Sequence, residues 1–341
     1  LLKPEQKDSR RFTLRIALDA MGGDNAPKVT VQGALAAAEE FGVQTLLVGR
    51  QEVLTAHLGP DAAALPVEIV HAPDTIEMQD HPAQAVRAKK ESSIVVGLRL
   101  LKEGRADAFV SAGNSGAVMA ASLLVLGRAP GIDRPAIGTV IPTLHGRTLL
   151  LDAGANVDVR AQNLLQFARM GSIYVNTLTQ TDKATVGLLS NGEEESKGNA
   201  LTLDAHSLLR DSGLNFAGNV EGRDITRGTV DVVVTDGFTG NVALKSIEGT
   251  AELIQQLLRE EITRGLRNKL AALALRRAFR RVRARLDYSE IGGAPLLGVN
   301  GTVFISHGRS SANAIKNALR VANEAAQHDI VGAINSAGFG R

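Results

Sequence analysis

The stretch Asp19-Ala-Met-Gly-Gly-Asp-Asn-Ala-Pro27 decides how the chain is read. Residues 14–18 before it are a short apolar run that predicts a buried strand. Residues 29–41 after it carry the periodicity of an amphipathic helix. Two acids, two glycines and an amide therefore sit on a strand-to-helix turn, the place where open α/β sheets bind ligands. Gly22 and Gly23 let backbone N–H groups approach an anion closely. Pro27 suits the first helical turn, where its missing N–H costs nothing. The same residues also serve a plain tight turn in which Asp24 or Asn25 caps the helix. The spacing is neither G-x-G-x-x-G nor a P-loop, so no nucleotide follows from it.

Outward from this turn the pattern repeats. Further strands are expected at 44–48, 67–71, 107–110, 136–141, 148–151, 184–189, 215–216, 230–235 and 302–305. Helical periodicity runs over 94–101, 116–126, 163–178, 199–209, 241–258 and 313–326. This alternation predicts a three-layer α/β/α fold with a mainly parallel sheet. Residues 1–13 read as a charged N-terminal extension. Residues 14–341 read as a single catalytic domain with a helical excursion at about 262–290.

Composition narrows the chemistry. With no cysteine, the chain has no disulfide, no thiolate metal site and no cysteine acyl-enzyme. Two Tyr and no Trp leave little for a base-stacking surface, and a net charge of +2 implies no global polyanion partner, so nucleic acid is not expected. No apolar run reaches membrane-spanning length. No serine lies in a G-x-S-x-G elbow, and the seven histidines show no metal-ligand spacing. Asp19, Asp24, Asp152 and Asp236 either gather around a divalent cation or form turns.

Four more strand ends finish in small polar sequences: Ser111-Ala-Gly-Asn-Ser-Gly116, Asp152-Ala-Gly-Ala-Asn156, the run from Ser190 to Asn199, and Thr235-Asp-Gly-Phe-Thr-Gly-Asn241. With the opening turn they suggest one shared crevice at the carboxyl ends of the strands, with helix N-termini favouring an anion. Lys197 is either a phosphate-holding ammonium or a loop lysine offsetting Glu193, Glu194 and Glu195. Asn241 is either a helix cap or a donor aimed at a reacting carbonyl. Gly292 and Gly293 open a Gly-rich apolar stretch, up to Gly301, that either lines a cleft or packs as a loop over the core. His307 stands in a loop within reach of a site.

From Arg264 to Arg285 there are nine Lys or Arg residues and no acid. On a helical wheel Leu275, Phe279, Val282 and Leu286 share one face, and Arg276, Arg277, Arg280, Arg281, Arg283 and Arg285 take the others. Leu266, Leu270 and Leu273 form a stripe on a different face, which predicts a bend or two short helices forming a tip. Such a basic amphipathic segment suits an anionic membrane surface, with a partner groove, a dimer contact or nucleic acid as competing uses.

Together these motifs resemble the bacterial phosphate acyltransferases of the PlsX family, from about residue 14 to the last helix. The resemblance implies transfer of a fatty acyl group from acyl carrier protein to inorganic phosphate, giving acyl phosphate for phospholipid synthesis without a cofactor or a metal. It implies a fold similar to the isocitrate and isopropylmalate dehydrogenases and phosphotransacetylase. It also implies a cytoplasmic homodimer held peripherally at the inner face of the cell membrane. The family's catalytic lysine and asparagine match Lys197 and Asn241. Gly22, Gly23, Asn25, Asn114, Ser115, Gly237, Gly240, Gly292, Gly293 and His307 are then the expected phosphate- or substrate-binding positions, and the basic segment matches the membrane-contacting tip. A decarboxylating dehydrogenase on the related fold and a non-enzymatic scaffold for acyl carrier protein are the alternatives.

Overall fold

A computed structural model describes residues 14–59, 64–286 and 292–339. The expected extension 1–13 and residues 287–290 of the excursion lie outside them. The chain opens with β1 (Arg15–Asp19), α1 (Lys28–Phe41), β2 (Gln44–Gly49), α2 (Gln51–Leu58) and β3 (Val67–His71). Next come α3 (Pro82–Ala88), α4 (Ser93–Lys102), β4 (Ala108–Ser111), α5 (Ser115–Val125), β5 (Ala136–Pro142) and β6 (Arg147–Leu151). Then follow α6 (Ala161–Thr179), β7 (Val186–Leu189), α7 (Ala200–Arg210), β8 (Phe216–Val220), α8 (Gly222–Arg227) and β9 (Val232–Val234). The last part holds α9 (Gly237–Thr263), α10 (Leu266–Ala274), α11 (Arg276–Leu286), β10 (Ala294–Leu297), β11 (Val303–Ile305), α12 (Ala312–Gln327) and α13 (Ile330–Ser336).

All strands join one sheet in the order β3-β2-β1-β4-β11-β10-β5-β6-β9-β7-β8. Most neighbours pair in parallel; β10 is antiparallel to β11 and to β5, and β5 is antiparallel to β6. The mainly parallel sheet is therefore as expected. Its central strands are apolar without alternation, as in Val232–Val234 and Val186–Leu189, because helices cover both faces and every position is buried. β10 is the strand that periodicity did not reveal. Ala294-Pro-Leu-Leu297 is too short and too closely framed by glycines to stand out from the loop expected there.

These three antiparallel contacts set the geometry of the polar turns. β1, β4 and β11 run one way, whereas β6, β9 and β7 run the other. The carboxyl ends of the first group define one edge of the sheet, and those of the second define the opposite edge. α9 starts at that opposite edge, and its 27 residues rise about 40 Å. That exceeds the length of any strand, and beyond Leu244 the helix leaves the core, with Leu253, Ile254, Leu257 and Leu258 exposed. α10 and α11 follow its far end before the chain returns to β10.

The opening turn departs from expectation in detail. Pro27, not Asp24 or Asn25, occupies the N-cap of α1, and the cap has no side-chain hydrogen bond. The Thr30 hydroxyl instead lies against the carbonyls of Ala20 and Pro27, at 2.7 and 2.8 Å. In this way it ties the first turn of the helix to the end of β1.

Candidate active site

At the opposite edge, three polar turns meet. The Asp152 carboxylate, fully buried, receives the N–H groups of Ile137, Gly154, Ala155 and Asn156 and the amide Nδ2 of Asn156, all at 2.8–3.1 Å. Burial pushes its carboxyl above the ordinary value, and these donors oppose the shift. Asn156 in turn donates to Pro135 O at 2.7 Å. Asp152 thus organises the turn through its hydrogen bonds.

α9 is packed onto this turn. Asp236 is its N-cap: Oδ1 accepts the N–H of Thr239 at 2.8 Å, and Oδ2 accepts its hydroxyl at 2.7 Å. Asn241 is therefore not the cap. It lies in the second turn, exposed, and donates one amide hydrogen to Ala153 O at 3.1 Å. An amide nitrogen carries two hydrogens, so one donor remains. Gly237 and Gly240 are buried and face inward. A Cβ on Gly237 would stand 2.7 Å from Asn156 O, and one on Gly240 would collide with Asp152 O. Their N–H groups go to Asn156 O and Asp236 O. Both glycines bring the helix close to the turn and offer no free backbone donor.

The turn after β7 leads to α7, whose N-cap Asn199 accepts the N–H of Thr202 at 3.0 Å. Lys197 stands exposed just before it and makes no side-chain ion pair or hydrogen bond among the described residues. It forms no ion pair with the neighbouring acids: Glu193 pairs with Arg223 at 3.1 Å, Glu195 lies 3.9 Å from Arg210, and Glu194 stands on the same side of Gly192 as Lys197. Between the two turns lies a cavity of about 410 Å³ lined by Ser190, Asn191, Asn199, Thr202, Asp236 and Thr239, among others. The N-termini of α7 and α9 both open onto it, an arrangement that favours an anion. Thr202 and Thr239 were not singled out from the sequence. Each stands three residues after an Asn or Asp cap, which is the signal that finds them.

The remaining expected positions occupy the first edge. The Asp19 carboxylate is buried against Gly22; it accepts the Ser111 hydroxyl at 2.7 Å and the N–H of Met21 at 3.2 Å. Burial raises its pKa, and these bonds act against the rise. Gly23, at φ 109°, turns the chain so that the next residue, Asp24, donates its N–H to Gly308 O at 2.8 Å. Asn114 caps α5 through Ala117 N and donates to the carbonyls of Met78 and Asp80 at 3.1 and 3.0 Å. Asn25, Ser115 and His307 are exposed on this edge, where the His307 ring accepts the N–H of Arg309. Gly292 and Gly293 precede β10 here, next to Asn317 and Ser306.

The single shared crevice expected from the sequence is therefore two clusters. One holds Lys197, Asn241, Gly237 and Gly240; the other holds Gly22, Gly23, Asn25, Asn114, Ser115, Gly292, Gly293 and His307. Strand direction, which local sequence does not encode, separates them. The four aspartates divide in the same way, so they do not gather around one cation. Among the described residues, the acids Glu193, Glu221 and Asp224 stand close together. Their charge is met by Arg223 and Arg227.

Comparison with known proteins decides the family. Residues 14–332 match the family described as fatty acid synthesis protein. The phosphate acyltransferase of Pelotomaculum thermopropionicum is 52% identical over 323 residues, covering 95% of this chain and 94% of that protein. That of Heliobacterium modesticaldum is 53% identical over 323 residues, covering 94% and 96%. The chain belongs to the phosphate acyltransferase family. As a phosphate acyltransferase it is an enzyme that transfers a fatty acyl group to phosphate. Its fold is shared with a phosphotransacetylase from Streptococcus pyogenes, at TM-score 0.60 and 18% identity, covering 93% of this chain and 94% of that one. It is shared too with a 4-hydroxythreonine-4-phosphate dehydrogenase from Klebsiella pneumoniae, at TM-score 0.57 and 12% identity, covering 92% and 100%. The dehydrogenase and scaffold readings give way to the acyltransferase.

Proposed function

We propose that the enzyme takes its acyl group from acyl carrier protein and transfers it to inorganic phosphate bound in the cavity between α7 and α9. The observation that carries this site is the convergence of two helix N-termini on one cavity, with exposed Lys197 in the turn that leads into α7. Phosphate is already a nucleophile, so no serine or cysteine is needed. One phosphate oxygen attacks the thioester carbonyl carbon, the carbonyl oxygen takes up negative charge, and the C–S bond then breaks. The thiol leaves as thiolate with little acid help, because its pKa is about 8.5. What the site must supply is position and charge stabilisation. Lys197 holds phosphate or the developing oxyanion, and the free amide hydrogen of Asn241 donates to the thioester oxygen. The first-edge residues serve as a second substrate-facing surface.

In this reading the protein acts as a homodimer at the cytoplasmic face of the membrane, docked through α10 and α11. Exposed Leu273, Leu275, Phe279 and Val282 supply the apolar contact, and Arg276, Arg277 and Arg281 supply the charge. The side chains of Arg280 and Leu286 lie outside the described residues. Among the described residues no helix is long and apolar enough to cross a membrane. The same basic surface suits an acidic carrier protein.

The deciding assay is phosphate-dependent loss of thioester from acyl carrier protein. Lys197→Ala lowers acyl phosphate formation at least a hundredfold while the protein stays folded; near-normal turnover in that variant would remove Lys197 from the mechanism.

A further inference from the structure

Phe238 is an apolar side chain where the proposed site is otherwise polar. It lies in the first turn of α9, two residues after the capping Asp236, and it is 62% exposed. Val242, one turn later, is 51% exposed. Neither belongs to the face by which α9 packs on the sheet, which is carried by Gly237, Gly240 and Leu244.

Helix geometry fixes what flanks the ring. Successive residues turn by about 100° around the axis. Thr239, on the cavity wall, therefore lies about 100° to one side of Phe238, and Asn241 lies about 60° to the other. Val242 stands above, about 40° from Phe238. The alternative path from Thr239 to Asn241 runs over Gly240, which is buried against Asp152. Asn241 and Phe238 are thus i,i+3 neighbours on the exposed side of α9, so a donor whose carbonyl meets Asn241 brings its acyl group beside the Phe238 ring.

We propose that Phe238, with Val242, forms the seat for the first methylenes of the acyl chain and so sets the preference for long-chain over short-chain donors. This rests on the placement of the reaction at Asn241 and the α7–α9 cavity. An acyl chain is the apolar part of the reactants and is bonded to the carbonyl that Asn241 addresses. Apolar surface exposed at that point is removed from water when the chain is present.

Two experiments test it. In steady-state kinetics, Phe238→Ala lowers kcat/KM at least tenfold with a dodecanoyl thioester, mainly through KM, and less than twofold with an acetyl thioester; Phe238→Leu recovers most of the loss. Equal losses on both donors, or no loss on either, would overturn the proposal. The second experiment does not depend on turnover. The chain contains no Trp, so Phe238→Trp introduces a single reporter. Its emission shifts to the blue when dodecanoyl-pantetheine is added without phosphate, and not with acetyl-pantetheine. Leu144→Trp, on the exposed β5–β6 turn, shows no such shift and guards against general adsorption. An emission shift that follows protein concentration instead of ligand would make the ring a contact between copies and defeat the proposal. If Phe238→Trp responds to the long chain while Lys197→Ala retains full activity, the chemistry assigned to Lys197 fails and the acyl seat stands.

Discussion

Two aspartates respond to burial and partners in opposite senses. Asp133 accepts Arg160 at 2.7 Å and Asn163 at 2.9 Å. The Asn163 amide, with the Arg160 guanidinium second, holds its carboxyl below the ordinary value. A carboxyl lowered in the folded state stabilises above its unfolded pKa, about 3.9, and loses that contribution as pH falls through the folded value. Asp133→Asn is therefore less stable than the parent at pH 6, by about 0.2–1 kcal/mol for a largely exposed pair. Urea midpoints of the two proteins should converge as the solution is acidified toward pH 3. Asp19 has the opposite sign: burial raises its pKa, so its ionisation opposes folding as pH climbs through the folded value. Asp152 is the more sensitive position. Asp152→Ala leaves four backbone N–H groups and one amide without their acceptor, and each buried orphan costs about 1–3 kcal/mol. Thermal unfolding should show a far larger drop for Asp152→Ala than for Asp152→Asn, which keeps one acceptor oxygen.

α9 links the two functions assigned to the molecule. Its first turns hold the proposed chemistry, and its far end leads into the basic tip. Separation along one rigid element predicts separable defects. Changing Leu275 and Phe279 together to Ser should release the protein from anionic vesicles, measured by flotation, and leave turnover of soluble donor unchanged. Binding by the parent should weaken as salt rises, because about half of the attraction is charge. The tip is also where sequence reading succeeded best. A change of apolar face near Leu273–Leu275 predicts two short helices, and the chain does break there, between α10 and α11. The strands other than β10 and the longer helices were legible for the same reason, since periodicity is a local property, whereas the short helices α2, α3, α8 and α13 were not expected. Other features were not legible. β10 has four residues between glycine-rich turns, too few to show a period. The division of the polar turns into two edges depends on three antiparallel contacts between strands remote in sequence. Lys197 and Asn241 were legible as candidates, whereas the inward orientation of Gly237 and Gly240 was not, because a glycine looks the same in sequence whether it faces a ligand or a backbone.

At the scale of the whole molecule, the two halves of the sheet are joined through the last strands of the chain. β11 pairs with β4, β10 pairs with β5, and the two pair with each other. Without residues 294–305 the sheet is two separate pieces. A chain stopped after residue 290 should show no cooperative thermal transition, whereas the full chain should unfold in one step by circular dichroism. The order of synthesis then matters. Protein is made from the N-terminus, at about 5–20 residues per second, so the middle of this sheet emerges last. For tens of seconds β4 and β5 each present an unpaired apolar edge, the kind of surface on which aggregation begins. The interval before its own centre has been made is therefore when this chain is most exposed to aggregation.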